Sequence, residues 1–272
     1  MIRAFVFAAL LAGFPVLAPK AVAQTIGDIV ALDVLPGWRT DRGTHMAGIR
    51  IRLADGWKTY WRSPGDAGIP PRFDWANSRN IDSIRMYWPR PIMFESSGLR
   101  SIGYKNEVIL PIEFTPVQPG QPIRISGRIE IGVCEDVCIP VALPLTADLL
   151  PGSTSRDRAI QAALDARPLT AERAGVDSVT CAVEPISEGL RLTARIAMPS
   201  AGGEEVTVIE LPDQRIWISE AEVSRAGREL SATSDMVSPE ARPFSLDRSD
   251  VRITVLGRDR AVDIEGCAAD AG

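Results

Sequence analysis

The chain has 272 residues, 45% of them hydrophobic and 24% charged, with a formal net charge of −5. That composition is ordinary for a globular protein, and the length allows one large domain or two of average size. The acidic balance argues against nucleic acid or an anionic membrane surface as the main partner, since both are bound by an excess of positive charge.

The first element is a leader. Met1-Ile2-Arg3 is followed by an apolar run from Ala4 to Ala18, and Ala21-Val22-Ala23 precedes Gln24. A basic start, an apolar stretch of about 15 residues and an Ala-x-Ala site mark a secretory signal. A membrane span needs about 20 apolar residues, and Pro15 and Pro19 interrupt this run, although an uncleaved anchor is the alternative. The expectation is a signal peptide over residues 1–23, no membrane insertion after cleavage, and a periplasmic location. Cleavage would remove Arg3 and Lys20 and no acid, leaving a chain from Gln24 with formal charge −7. There is no cysteine at the cleavage site, which argues against a lipoprotein.

Residues 24–150 read as β. Ile49, Ile51 and Leu53 alternate with Arg50 and Arg52, Val108, Leu110, Ile112 and Phe114 occupy every second position, and Ile123 and Ile125 lead into Ile129, Ile131 and Val133. Alternation of this kind marks half-buried strands. Pro36-Gly37, Asp55-Gly56, Pro64-Gly65, Pro70-Pro71 and Pro119-Gly120 supply turns between them. Residues 151–168 change character: Ser155 is placed to cap a helix through Ala159, Ile160, Ala163 and Leu164, and Pro168 stops it. Over residues 169–272 alternation returns, with Leu190, Leu192, Ala194 and Ile196, then Val206, Val208, Ile216, Ile218, Val251, Ile253 and Val255. The predicted fold is all-β, two immunoglobulin-like β-sandwiches joined by a short helical linker.

Four cysteines, Cys134, Cys138, Cys181 and Cys267, allow three pairings, and spacing favours Cys134 with Cys138 and Cys181 with Cys267. The second pair would tie the first and last parts of the C-terminal region together as a structural bridge; closing so long a loop is worth roughly 4–5 kcal/mol on loop-closure grounds. The first pair sits in Ile131-Gly132-Val133-Cys134-Glu135-Asp136-Val137-Cys138-Ile139-Pro140. Strands on both sides place the two thiols across a hairpin, where opposed Cβ atoms lie about 4.5–5.5 Å apart and a disulfide needs about 3.8 Å. A three-residue hairpin loop puts its last residue in the left-handed region, which suits β-branched Val137 badly, so the turn is expected to be of another kind or strained. Pro140 cannot donate to a ladder and points to an edge strand. Glu135 and Asp136 disfavour a thiolate, so the pair should react mainly with a docked partner. The alternatives are a structural staple, which gains little from so short a loop, and a thiolate site for Cu(I); two ligands do not close a zinc site.

Other constellations carry little. His45 is the sole histidine and lies beside Met46 in a strand pattern, and there is no nucleophile elbow or phosphate-binding glycine loop. The tryptophan-rich stretch 57–88 reads as core and loop packing. No cofactor or metal site is indicated.

The chain resembles the N-terminal periplasmic domain of the DsbD family of thiol:disulfide interchange proteins, in a stand-alone form. The carriers are Gly56-Trp57-Lys58-Thr59-Tyr60-Trp61-Arg62-Ser63-Pro64-Gly65-Asp66-Ala67-Gly68, Trp88-Pro89-Arg90-Pro91, Gly103-Tyr104 with Leu110-Pro111, and Val133 through Pro140, in that order over roughly residues 28–150. The resemblance implies an immunoglobulin-like sandwich with redox cysteines Cys134 and Cys138 on a hairpin, acting as a protein-disulfide reductase component. It implies thioredoxin-like proteins and a DsbD-type integral-membrane electron transporter as donors, and periplasmic thiol proteins as clients, including those of disulfide isomerisation and cytochrome c biogenesis. It also implies a cap loop, here Met93–Tyr104, with Phe94 as the covering aromatic, and Trp57 and Tyr60 near the site. By the same analogy Cys138 forms the mixed disulfide and Cys134 resolves it. The best-known members space their cysteines more widely, and the shorter form resembles a branch that includes proteins linked to copper tolerance. The family's membrane and thioredoxin-like domains have no counterpart here, and the second sandwich has none in its well-known architecture.

Overall fold

The computed structural model describes residues 25–270 apart from Asp66 and Ser97. The expected signal peptide lies outside the described residues. Within them, no helix is long and apolar enough to cross a membrane.

The first sandwich contains β1 (Val30–Arg39), β2 (His45–Leu53), β3 (Lys58–Tyr60), β4 (Arg72–Asp74), β5 (Ser83–Met86), β6 (Ile92–Ser96), β7 (Leu99–Lys105), β8 (Glu107–Thr115), β9 (Ile123–Cys134) and β10 (Cys138–Leu149). One sheet has the order β1-β2-β8-β5; the other has β10-β9-β3-β7-β6, with β4 also paired to β9. The period-two pattern decides which side chains face inward. Ile49 and Ile51 of β2, Leu110, Ile112 and Phe114 of β8, Ile125, Ile129, Ile131 and Val133 of β9, and Leu145 and Leu149 of β10 are all buried in one cluster. Each such side chain contributes roughly 1.5–3 kcal/mol by leaving water. Trp57 and Trp61 are buried in the same cluster, and Trp75 and Trp88 pack against it. Trp75 stacks on Phe73 at 5.8 Å and meets Phe114 edge-on at 5.7 Å, so the tryptophan-rich stretch builds core.

β10 is the outer strand of its sheet, with Pro140 opposite Gly132 and Pro144 opposite Arg128. His45 is fully buried, its Nε2 2.6 Å from the Pro36 carbonyl, and burial lowers its pKa.

The helix between the sandwiches, Arg158–Asp165, is capped by Asp157 rather than Ser155. Asp157 immediately precedes the first turn, and its carboxylate accepts from the Ala159 and Ile160 N–H groups at 2.8 and 3.1 Å. The helix docks on the first sandwich: Ile160 is fully buried with Trp38 and Met46. Gly48 leaves the room, since a Cβ there would lie 3.0 Å from Ile160.

The second sandwich contains β11 (Leu169–Thr170), β12 (Ser178–Ile186), β13 (Gly189–Ala197), β14 (Val206–Glu210), β15 (Trp217–Ile218), β16 (Glu222–Ala226), β17 (Glu229–Val237), β18 (Arg252–Leu256), β19 (Ala261–Glu265) and β20 (Ala268–Ala269). Its sheets run β11-β19-β18-β14 and β15-β17-β13-β12-β20, with β16 on β17. Leu192, Ala194, Ile196, Ile253, Val255 and Val262 fill its core. Cys181 of β12 bonds Cys267, with Cα atoms 5.7 Å apart, joining the first long strand to the segment before β20. On the other face of the four-stranded sheet, Val206, Val208, Leu256 and Ala261 join the apolar cluster of the first sandwich.

Candidate functional site

β9 and β10 form a twelve-rung antiparallel ladder whose last rung is Cys134 opposite Cys138. Along β9, Ile131 and Val133 face the core, so Gly132 and Cys134 face the other side of the sheet. The two cysteines are disulfide-bonded with Cα atoms 4.1 Å apart. Glu135, Asp136 and Val137 close the hairpin, with the Glu135 N–H 3.4 Å from the Val137 carbonyl. Val137 is not among the residues with positive φ, so this is not the three-residue loop with a left-handed last position. It is 71% exposed at the tip.

The two sulfurs sit in different surroundings. Cys134 is 1% exposed, whereas Cys138 is exposed at the start of β10. Between them stands Tyr60. Its hydroxyl donates to Cys134 Sγ at 2.8 Å and lies 3.1 Å from Cys138 Sγ. The neighbouring strand places it there: Lys58 of β3 is opposite Cys134 and Thr59 opposite Val133. Thr59 Oγ1 donates to the Gly132 carbonyl at 2.8 Å, locking the pairing. The Tyr60 ring fits between two glycines, since a Cβ on Gly68 would lie 2.9 Å from it and one on Gly132 3.1 Å. Gly103 lets β7 close on β3, where a Cβ would collide with the Thr59 carbonyl at 2.0 Å. Burial raises the Tyr60 pKa, so the phenol keeps its proton and remains a donor at neutral pH.

The other residues named from sequence take separate places. Glu135 folds back over Gly56, where a Cβ would meet its carboxylate at 2.6 Å, and Asp136 is exposed. Trp57 is buried in the core cluster. The segment Met93–Tyr104 is a paired hairpin of β6 and β7 rather than a loop, because Met93 to Ser96 find register partners in Ile102 to Leu99. The Phe94 ring is buried, with Lys58 Nζ 5.5 Å and Lys105 Nζ 5.1 Å from its centroid. Phe94 therefore reaches the disulfide's surroundings through Lys58, the register neighbour of Cys134. Lys58, Thr59, Gly68 and Gly132 also belong to the site; all four lie inside the motifs quoted from the sequence, which gave none of them a role there. Among the described residues no group of three or more His, Cys, Asp and Glu side chains is placed to hold a metal.

Residues 31–148 match the family described as the N-terminal domain of the thiol:disulfide interchange protein DsbD. This part of the chain is similar to that family. The match covers the first sandwich from Ala31 to Asp148, with both cysteines and Tyr60, and supports a thiol:disulfide interchange-related module. In fold, the chain is similar to the crystal structure of the N-terminal periplasmic domain of ScsB from Proteus mirabilis, with a TM-score of 0.67 and 20% identity over 92% of this chain and 97% of that one. That likeness in fold spans both sandwiches. Among curated proteins none matches the chain.

Proposed function

We propose that the protein is a periplasmic thiol–disulfide exchange component, relaying electrons through Cys134 and Cys138. The donors would be a thioredoxin-like protein or a DsbD-type integral-membrane transporter, and the acceptors periplasmic thiol proteins. The observation that carries this is the unequal exposure of the two cysteines about one hydroxyl: Cys138 is exposed, Cys134 is buried, and Tyr60 reaches both sulfurs.

A donor thiolate attacks Cys138 Sγ, the sulfur of the exposed cysteine. The Cys134–Cys138 bond breaks and its electron pair leaves on Cys134 Sγ, where the Tyr60 hydroxyl stabilises the developing negative charge before a proton is taken up. The donor's second thiol then attacks its own sulfur in the mixed disulfide and expels Cys138. The donor dithiol has become a disulfide, and Cys134 and Cys138 are a dithiol that has gained two electrons and two protons. With a client disulfide the same steps run in reverse. Glu135 and Asp136 beside the open sulfur disfavour a free thiolate and set a preference for a partner of complementary charge.

The test is to trap the mixed disulfide with a thioredoxin-like partner whose resolving cysteine is replaced. With that partner's remaining cysteine activated as its mixed disulfide with thionitrobenzoate, reduced Cys134→Ala should displace thionitrobenzoate and form a covalent adduct through Cys138, detected by mass spectrometry, and Cys138→Ala should form none. If neither cysteine is ever trapped the relay reading is lost, and a reduction potential below about −300 mV would instead mark a structural staple.

A further inference from the structure

Strand β3 carries Tyr60 to the sulfurs, and two residues further on Arg62 reaches across into the second sandwich. Its guanidinium lies 3.9 Å from the centroid of the Trp61 ring. From there it donates to Glu210, Nε to Oε1 at 3.0 Å and Nη2 to Oε2 at 2.8 Å. Nη2 also donates to Thr254 Oγ1 at 3.1 Å, and Asp263 stands 3.8 Å away. These partners sit on the adjacent strands β14, β18 and β19. The Arg62 and Glu210 side chains are 13% and 19% exposed, so the pair is largely withdrawn from water, where losing one partner strands the other's charge.

The second sandwich is a firm support for this contact. Arg90 donates to the carbonyls of Gly257, Arg258 and Asp259 at 2.7, 2.6 and 2.9 Å. Arg100, on β7, pairs with Glu204 and Glu220. Val208 and Leu256 share the apolar cluster that holds Trp57 and Trp61. The segment after β3 is therefore held twice, within its own sandwich by the Trp61 N–H to the Ile102 carbonyl at 2.9 Å and from outside it by Arg62.

We propose that Arg62 is a positioning residue for the disulfide: through Glu210 and Thr254, the second sandwich holds the Trp61–Arg62 end of β3 and so keeps the Tyr60 hydroxyl at the two sulfurs. This rests on the exchange reading of Cys134–Cys138 and gives the second sandwich a task in it. A hydrogen bond weakens steeply with distance and angle, so a small shift of the strand end is felt at the sulfurs. The bond matters most in the reduced state, where sulfur carries more negative charge, and its loss disfavours the dithiol.

The test uses the chain from Gln24 to Gly272, equilibrated with dithiothreitol and its oxidised form. Reduced Cys134 and Cys138 are counted by alkylation and mass spectrometry, with Cys181–Cys267 as the internal reference. Arg62→Gln should lower the equilibrium constant for reduction about fivefold, the worth of one hydrogen bond, and raise the pH at which the released thiols are alkylated. Arg62→Lys, which keeps the charge and loses the fork, should fall between. Thr254→Val removes one hydroxyl and keeps the shape; it should lower the constant about twofold, and it decides the matter if Arg62→Gln does not fold. Constants and pH profiles equal to wild type in the variants that fold overturn the proposal. A small dithiol needs no docking, so this measurement stands even if no protein partner is trapped, and the two readings fail separately.

Discussion

The chain makes the same covalent bond twice, under opposite conditions. Cys181–Cys267 spans 86 positions, buries Cys181 completely and ties β12 to the far end of its sandwich. Cys134–Cys138 spans four, joins residues that the hairpin already places opposite each other, and leaves one sulfur in the open. The first constrains much more unfolded chain than the second, since the stabilisation grows with the length of the closed loop. The surroundings differ in the same sense. The Cys181 carbonyl accepts from Arg248 Nε at 3.1 Å and the Cys267 N–H donates to the Arg248 carbonyl at 3.2 Å, so backbone is knitted around that bond. At Cys134–Cys138 it is the sulfurs that receive a hydrogen bond. One bond holds the fold; the other is held by it, and only a bond the fold can spare is free to be broken in use.

The contrast can be broken by removing each bond. Replacing Cys181 and Cys267 by alanine should lower the unfolding free energy by roughly 2–5 kcal/mol, read by urea denaturation. The same change at Cys134 and Cys138 should cost less, about 2 kcal/mol on loop-closure grounds, because the closed loop is short. Equal losses would erase the distinction. It can be sharpened at the sulfurs: Tyr60→Phe should reduce the equilibrium constant for reduction of Cys134–Cys138 about tenfold, the loss of one hydrogen bond to a group gaining charge. The Cys181–Cys267 equilibrium should not change. The smallest effect is expected at the tip. Glu135→Gln with Asp136→Asn removes two negative charges beside Cys138, lowers its thiol pKa and speeds alkylation of the reduced protein about twofold at low salt. Near 1 M salt, where screening acts over about 3 Å, the difference should vanish.

Much of this was legible from local pattern. The odd-numbered isoleucines from Ile123 to Ile131, with Val133, fix the inward face of β9, and the same phase puts Cys134 on the other face. Two alternating runs around Glu135-Asp136-Val137 are enough to call for a hairpin. The turn was harder, because the rule for three-residue loops assumes a left-handed last residue and Val137 avoids it. The cap of the interdomain helix was misplaced by two residues, since both Ser155 and Asp157 have the right chemistry and only the first turn's position separates them. The tie from Arg62 to Glu210 joins residues 148 positions apart, and no periodicity carries information over that range. The clearances at Gly68 and Gly132 were visible only as glycines; what they make room for is a ring brought in by a different strand.

Pro140 and Pro144 stand in the same phase of β10 as Cys138, on a strand with no neighbouring strand on its outer side among the described residues. A proline in a strand sits where its missing N–H would face the open side. At those two places the rim next to the disulfide therefore presents carbonyls and no donors. A second copy of the chain that laid a strand against it would find its own acceptors unanswered at both points. The same rim is no obstacle to a single sulfur arriving at Cys138. An oxidisable hairpin has to leave its end uncovered, and uncovered strand ends are where chains zip into aggregates; here the rim admits an atom and turns away a ribbon.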